Sequence, residues 1–182
     1  MRPTHTRDIK MKKFLFTTLF ASFALLAFAQ DSFIGKWASD KMEQEGGAVI
    51  MEFDFKDAQK VQIVVLTEGV IPNTCSFAAR FSNKGTYEVA DSLLSFTMDA
   101  KKASARLQKL KFDPQIEANL TLTDISAAEL AFQRELQAGA QKSFEELNNA
   151  KFTYFFNETD PDTLIIKSTG EDKESITLHR KK

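Results

Sequence analysis

Residues 49–55 read Val-Ile-Met-Glu-Phe-Asp-Phe, and this stretch decides the fold. Every second residue from Val49 to Phe55 is apolar, whereas Glu52 and Asp54 stand between them. Successive side chains of a β-strand point to opposite faces of the sheet, so this alternation predicts a strand with one face in the core and the other in water.

The same two-residue period recurs on both sides of this stretch. Short segments rich in Gly, Pro, Asn and Asp separate the repeats, and connections this short favour antiparallel hairpins. Residues 33–39 form a first strand or lead into one, and residues 103–112 read as a bulged strand. The other predicted strands cover residues 49–55, 61–66, 75–81, 86–89, 93–98, 116–123, 152–156, 164–166 and 176–178.

A helical period replaces the strand period from Ser126 onwards. Ser126 and Glu129 have the spacing of a capping box, and Asn148-Asn149 is the predicted end of the helix. Gly139 lies mid-segment and is expected to weaken the helix or divide it in two. The apolar stripe predicts core packing, with a lid over a barrel end as the functional alternative; it consists of Phe132, Leu136, Ala140, Phe144 and Leu147.

Together these patterns predict a mainly all-β fold. The expected architecture is an antiparallel up-and-down β-barrel of about 8–10 strands with one helical insertion at about residues 126–149. Closing the sheet removes edge strands that would otherwise invite aggregation. An eight-stranded barrel is wide enough either to be filled by side chains or to hold one small ligand.

Residues 1–29 have the layout of a secretory signal peptide. Basic residues at 10, 12 and 13 precede an apolar run of 15 residues, and Ala27-Phe28-Ala29 is a small-x-small cleavage site. A membrane-spanning helix needs about 20 apolar residues, so we expect cleavage after Ala29 rather than a stable anchor. Residues 1–10 are candidates for sequence upstream of a true start at Met11. We therefore expect an exported protein, periplasmic or extracellular, with residues 30–182 as a single domain.

Composition narrows the expected partners and chemistry. Residues 30–182 carry a net charge of −5, which disfavours nucleic acid as a partner.

Cys75, the only cysteine, cannot form an internal disulfide and is expected to be a buried thiol. His179 is the only histidine after residue 29, too little for a zinc site or a nucleophilic triad. We predict no catalysis, no metal and no cofactor. A carboxylate pair at Glu52 and Asp54 is the weaker alternative.

Three short motifs of the chain together carry a family resemblance. Phe33-Ile34-Gly35-Lys36-Trp37, Gly85-Thr86-Tyr87 and Leu178-His179-Arg180 occur in the order found in lipocalin-like domains of exported bacterial proteins, which are calycin-type barrels. The resemblance implies that Gly35 permits a tight chain entry and that Trp37 closes one end of the barrel. It also implies that Arg180 lies over the indole ring.

The resemblance and the aromatic inward faces together predict a carrier for a small apolar ligand. Candidate lining residues share the inward parity of their strands; they are Met51, Phe53, Phe55, Phe77, Phe81, Tyr87, Phe96, Phe152, Tyr154 and Phe156. The alternative is an interaction or scaffold module of the cell envelope, with a solid barrel core and an envelope protein as partner. The sequence alone does not separate a hollow barrel from a filled one.

Overall fold

The computed structural model describes residues 32–90, 92–170 and 174–182, so the predicted signal peptide and its cleavage site lie outside the described residues. The described elements are β1 (Gly35–Ser39), β2 (Met42–Gln44), β3 (Gly47–Phe55), β4 (Lys60–Ile71), β5 (Cys75–Ala90), β6 (Leu93–Met98), a 3₁₀ turn (Ala100–Lys102), β7 (Ser104–Phe112), α1 (Pro114–Glu117), α2 (Leu122–Leu147), β8 (Lys151–Phe156), β9 (Thr163–Ser168) and β10 (Ser175–Arg180).

Eight strands close into an antiparallel barrel. Around the barrel they follow the order β1-β3-β4-β5-β6-β8-β9-β10, and β10 pairs back onto β1. β2 pairs with the end of β3 that β1 does not reach, and β7 pairs with β5. Neighbours in space are therefore close to neighbours in sequence. The predicted mainly all-β, up-and-down antiparallel barrel with one long helical insertion is confirmed.

Strand β5 is long enough to pair with two strands on the same edge. Its later half, residues 85–90, pairs with β6, and its earlier half, residues 75–82, pairs with β7. β7 has a bulge at Gln108, as predicted for this segment. β8 pairs with β6 only over residues 151–153, and no pairing joins β7 to β8 within the described residues. The strand wall is therefore interrupted between β7 and β8.

Helix α2 begins four residues earlier than predicted. Thr121 is the N-cap: its hydroxyl accepts a hydrogen bond from the Asp124 N–H (3.2 Å), and the Asp124 carboxylate accepts one from the Thr121 N–H (2.9 Å). This capping box replaces the predicted one at Ser126. The helix runs without interruption to Leu147, so the prediction that Gly139 divides it is wrong. Its end before Asn148 is confirmed.

The predicted strand over residues 116–123 is wrong. Asp113 accepts a hydrogen bond from the Gln115 N–H (2.9 Å), and Pro114 occupies the first turn of α1. A fixed φ angle and a missing N–H suit the start of a helix. The alternating apolar residues in this segment share no buried face, since Leu122 is 84% exposed.

One end of the barrel is filled by aromatic side chains. Phe33, just before β1, and Trp37 are both fully buried. The Trp37 indole N–H donates to the Phe33 carbonyl over 2.7 Å, which satisfies the one polar group of the ring.

Among the helices that the structure describes, none is long and apolar enough to cross a membrane.

Candidate ligand-binding cavity

A large apolar cavity lies between the other end of the barrel and helix α2. Its volume is about 860 Å³, and it is partly open to solvent. Inward residues of β3, β4, β5, β6, β8, β9 and β10 border it on the barrel side, and α2 borders it where the strand wall is interrupted. A cavity of this volume and lining is typical of sites for small apolar ligands, which run from about 300 to 1,000 Å³.

Six of the ten predicted lining residues border this cavity. They are Met51, Phe53, Phe77, Phe81, Phe96 and Phe152. Phe53 and Phe96 are nearly fully buried, with ring centres 5.9 Å apart, and Phe152 packs edge-on against Phe96 at 5.8 Å. These rings form the boundary between the cavity and the filled end of the barrel.

The other four predicted lining residues do not border the cavity. Phe55, Tyr87, Tyr154 and Phe156 surround Phe33, with ring centres 5.3, 5.9, 4.9 and 5.2 Å from it. They fill the closed end instead. The physical reason is that alternation along a strand reports which face a side chain takes, but not its height along the barrel axis.

Sequence analysis identified the apolar stripe of α2, as core packing or as a lid over a barrel end, but did not name its residues among the lining of a cavity. The cavity-lining residues of α2 lie on one face of the helix, and Glu135 and Ser143 join the predicted stripe there; they are Phe132, Glu135, Leu136, Gly139, Ala140, Ser143, Phe144 and Leu147. Phe132 packs edge-on against Phe77 on β5, with ring centres 5.0 Å apart. The apolar stripe was a sufficient signal for a buried face. It carried no information about the strands that this face meets.

Gly139 faces the cavity with no packing partner. A Cβ atom built on Gly139 would have no heavy atom within 4 Å, and the residue does not have the positive φ angle that favours glycine. Glycine inside a helix costs about 1 kcal/mol relative to alanine. Neither close packing nor backbone conformation explains this cost at residue 139. The absent side chain leaves the cavity wider at this point.

Side-chain amides of α2 bind the backbone edge of β7. The Ala105 N–H donates to Gln137 Oε1 (3.0 Å), and Gln137 Nε2 donates to the Ala103 carbonyl (2.7 Å). One turn earlier, the Leu107 N–H donates to Gln133 Oε1 (2.8 Å), and Gln133 Nε2 donates to the Ala105 carbonyl (2.8 Å). The two glutamines thus supply the hydrogen bonds that a neighbouring strand would have made. They hold the helix at the interruption in the wall.

Few polar groups border the cavity. Glu135 on α2 and Glu174 before β10 are the only ionisable residues in the part of the lining that the structure describes. Thr67 and Ser143 are the polar uncharged ones. No lysine, arginine or histidine is found among these described lining residues. The described lining is therefore mostly apolar, and the charge that borders it is negative.

The three residues assigned to barrel closure lie together at the filled end. The Arg180 guanidinium carbon lies 4.2 Å from the centre of the Trp37 ring, and its two terminal nitrogens donate to the carbonyls of Ile34 (2.7 Å) and Ser32 (3.0 Å). Gly35 has a φ angle of +131°, and a Cβ atom there would approach Arg180 Nη1 to 2.7 Å. Glycine thus allows both the backbone turn and the close approach of arginine.

Glu52 and Asp54 point away from the cavity. They lie on the outer face of β3, where Glu52 forms an ion pair with Lys181 and Asp54 one with Lys56. The version of the carboxylate-pair hypothesis that needs both groups in one cleft therefore has no structural basis.

His179 lies 3.2 Å from the Thr163 hydroxyl and 3.7 Å from Asp40. In the described ranges, no group of three or more His, Cys, Asp or Glu residues is placed to hold a metal ion.

The buried Cys75 thiol and the half-buried Tyr154 phenol have raised pKa values. Burial raises the pKa of the Cys75 thiol and that of the Tyr154 phenol. Cys75 is a buried free cysteine, as predicted. A thiol kept protonated in this way is a poor nucleophile.

A second cavity, of about 460 Å³, lies beside β2 and is more polar. Lys41 in its wall is within 3.3 Å of Glu68 and 3.6 Å of Glu43, so the charges there largely satisfy one another. We therefore assign the candidate site to the larger, apolar cavity.

No protein-family model matches the chain, and a search of curated proteins found no significantly similar sequence.

Proposed function

We propose that this protein is an exported, lipocalin-like carrier that holds one small apolar ligand between its barrel and helix α2, without catalysing a reaction. The observation that carries this proposal is the cavity of about 860 Å³, bordered mainly by aromatic and aliphatic side chains. A scaffold with a solid core, the alternative from the sequence, has less support because only one end of the barrel is filled.

Gly139 gives independent support for a ligand. A residue that lowers helix stability with no return in packing is expected where function requires space. Residue 139 borders the cavity and has open space where a side chain would begin.

The lipocalin-like part of the proposal is supported by the closed end of the barrel. Gly35, Trp37 and Arg180 have the relative placement that the family resemblance implies. Export is supported by the signal-peptide layout of residues 1–29. The absence of catalysis is supported by the scarcity of histidine and cysteine and by the outward, ion-paired positions of Glu52 and Asp54.

Binding of an uncharged apolar fluorophore such as N-phenyl-1-naphthylamine tests the proposal. We expect saturable binding at one site per chain. Gly139→Trp and Ser143→Trp each place an indole on the cavity face of α2 and are expected to weaken binding at least about tenfold, which corresponds to 1.4 kcal/mol. Ala138→Trp is the matched control: it places the same indole at the neighbouring, exposed position of α2, which does not border the cavity, and is expected to bind the probe like the wild type.

Two results would overturn the proposal. Absence of saturable binding by the wild type, in protein shown to be folded by circular dichroism, would remove the carrier function. Equal affinity of Ala138→Trp, Gly139→Trp and Ser143→Trp would show that the probe binds outside this cavity.

A further inference from the structure

The charges that border the cavity distinguish among apolar ligands. An amphiphile buries its hydrophobic body and leaves its head group near the opening, so the sign of the nearby charges selects the head group. Glu135 and Glu174 are both solvent-exposed and both border the cavity. No ion pair is formed by either carboxylate with any residue that the structure describes. Among the described residues, no basic side chain therefore competes with a ligand for either carboxylate.

The basic residues of α2 do not offset this negative charge. Arg134 and Lys142 do not border the cavity, and Lys142 lies 3.9 Å from Glu146. An anionic head group, such as a fatty-acid carboxylate, would meet two like charges and no cation in the described lining. The net charge of −5 on residues 30–182 acts in the same direction at longer range.

Aromatic rings next to Glu135 add a second attraction for a cation. Phe132 and Glu135 are three residues apart and share one face of α2, and Phe132 packs against Phe77. The faces of aromatic rings attract ammonium groups, most strongly where water is excluded. The Glu135 carboxylate and the faces of these aromatic rings therefore favour the same kind of head group, a cation.

We infer that the ligand is a cationic amphiphile: an apolar body in the cavity, with a protonated or quaternary amine near Glu135 and Glu174. This inference rests on the proposed carrier function and adds the chemical class of its ligand. It predicts discrimination by head-group charge at constant chain length.

Displacement of the fluorophore by three ten-carbon probes tests this inference. Decyltrimethylammonium, decanol and decanoate are compared below their micellar concentrations, at neutral pH and physiological salt. We expect decyltrimethylammonium to bind at least about tenfold more tightly than decanoate, and more tightly than decanol. The double variant Glu135→Gln/Glu174→Gln is expected to reduce the preference for the cation over the anion to less than about threefold.

The matched control removes two carboxylates elsewhere. Glu129→Gln/Glu145→Gln changes the net charge equally, but neither residue borders the cavity. This control is expected to retain the preference. The inference is overturned if wild type binds decanoate or decanol as tightly as the cation, or if the control loses the preference as fully as the cavity variant. Failure of every probe to bind overturns the carrier function itself, so the two failures are distinguishable.

Discussion

Asn148 pairs with the backbone of Met98 through both polar atoms of its side chain. The Met98 N–H donates to Asn148 Oδ1 over 2.6 Å, and Asn148 Nδ2 donates to the Met98 carbonyl over 2.9 Å. Met98 ends β6, beyond the three residues that pair with β8. The asparagine after α2 therefore completes the edge of β6, as Gln133 and Gln137 complete the edge of β7.

Substitution of Asn148 should destabilise the fold. Asn148→Ala leaves the N–H and carbonyl of Met98 without these partners, and we expect a loss of about 1–2 kcal/mol in the free energy of unfolding, measured by urea denaturation. Asn149→Ala is the control, because the only hydrogen bond that the Asn149 side chain makes to a described residue is a long one, 3.4 Å, to the Glu145 carbonyl. A change within about 0.5 kcal/mol is expected for it. Equal effects of the two variants would contradict this assignment.

Removal of both glutamines should loosen α2 from the barrel. Gln133→Ala/Gln137→Ala removes four hydrogen bonds to the backbone of Ala103, Ala105 and Leu107, and we expect a loss of about 2–4 kcal/mol in the free energy of unfolding. The amides of Ala105 and Leu107 should also exchange with solvent faster, because they lose their acceptors. Gln141→Ala is the control on the same helix, since the structure shows no hydrogen bond of its side chain to a described residue. Unchanged exchange at Ala105 would refute the role of these amides.

Arg180 should not be replaceable by lysine. Lysine keeps the positive charge but has no planar fork to reach the carbonyls of Ile34 and Ser32 while covering Trp37. We expect Arg180→Lys to lower the free energy of unfolding by about 1–3 kcal/mol and to change the near-ultraviolet circular dichroism of the indole. Arg134→Lys, on the exposed side of α2, should have neither effect. Wild-type stability of Arg180→Lys would show that charge alone suffices.

The capping box should make stability depend on pH in the acidic range. Hydrogen bonds from the Thr121 hydroxyl and N–H hold the pKa of Asp124 below its usual range. A lowered pKa in the folded state means that the carboxylate stabilises the fold above its unfolded pKa, near 3.9, and that this contribution disappears as pH falls through the folded pKa.

We therefore expect wild type to exceed Asp124→Asn in urea midpoint at pH 6, and the gap to narrow at pH 2.5. Asp113→Asn, which changes the N-cap of the short helix α1, is the comparison. We expect its urea midpoint at pH 6 to lie closer to that of wild type than the midpoint of Asp124→Asn does. A gap of constant size between pH 6 and pH 2.5 would show that ionisation of Asp124 is not involved.

Much of the barrel could be predicted from local patterns. Alternation from Val49 to Phe55 correctly indicated an inward apolar face, and the stripe from Phe132 to Leu147 indicated the buried face of α2. Local patterns misled where two periods overlapped. Residues 116–123 alternate, but the Asp113–Pro114 start and the Thr121–Asp124 capping box favour helix, and a helix end is decided by such hydrogen bonds.

The cavity itself was beyond local patterns. Phe53 and Phe55 share one strand face, yet Phe53 borders the cavity and Phe55 packs into the filled end. Gln133 and Gln137 read as ordinary polar residues of a helix, because the strand edge that they bind is about 28 and 32 residues away in sequence. Gly139 was interpreted from the sequence as a residue that weakens or divides the helix. Its position beside the cavity could not be predicted, because other elements of the fold form that cavity.

The sequence by itself determined that the chain forms an antiparallel barrel, which side of each strand faces inward, and that one amphipathic helix interrupts the strands. Side-chain period and turn residues act over a few neighbours, so these features are local. Only the tertiary structure decided that β5 extends beyond its pairing with β6, that α2 covers the resulting gap in the strand wall, and that a cavity remains between α2 and the barrel. Those features depend on strand lengths and on contacts between distant segments, which no local pattern encodes.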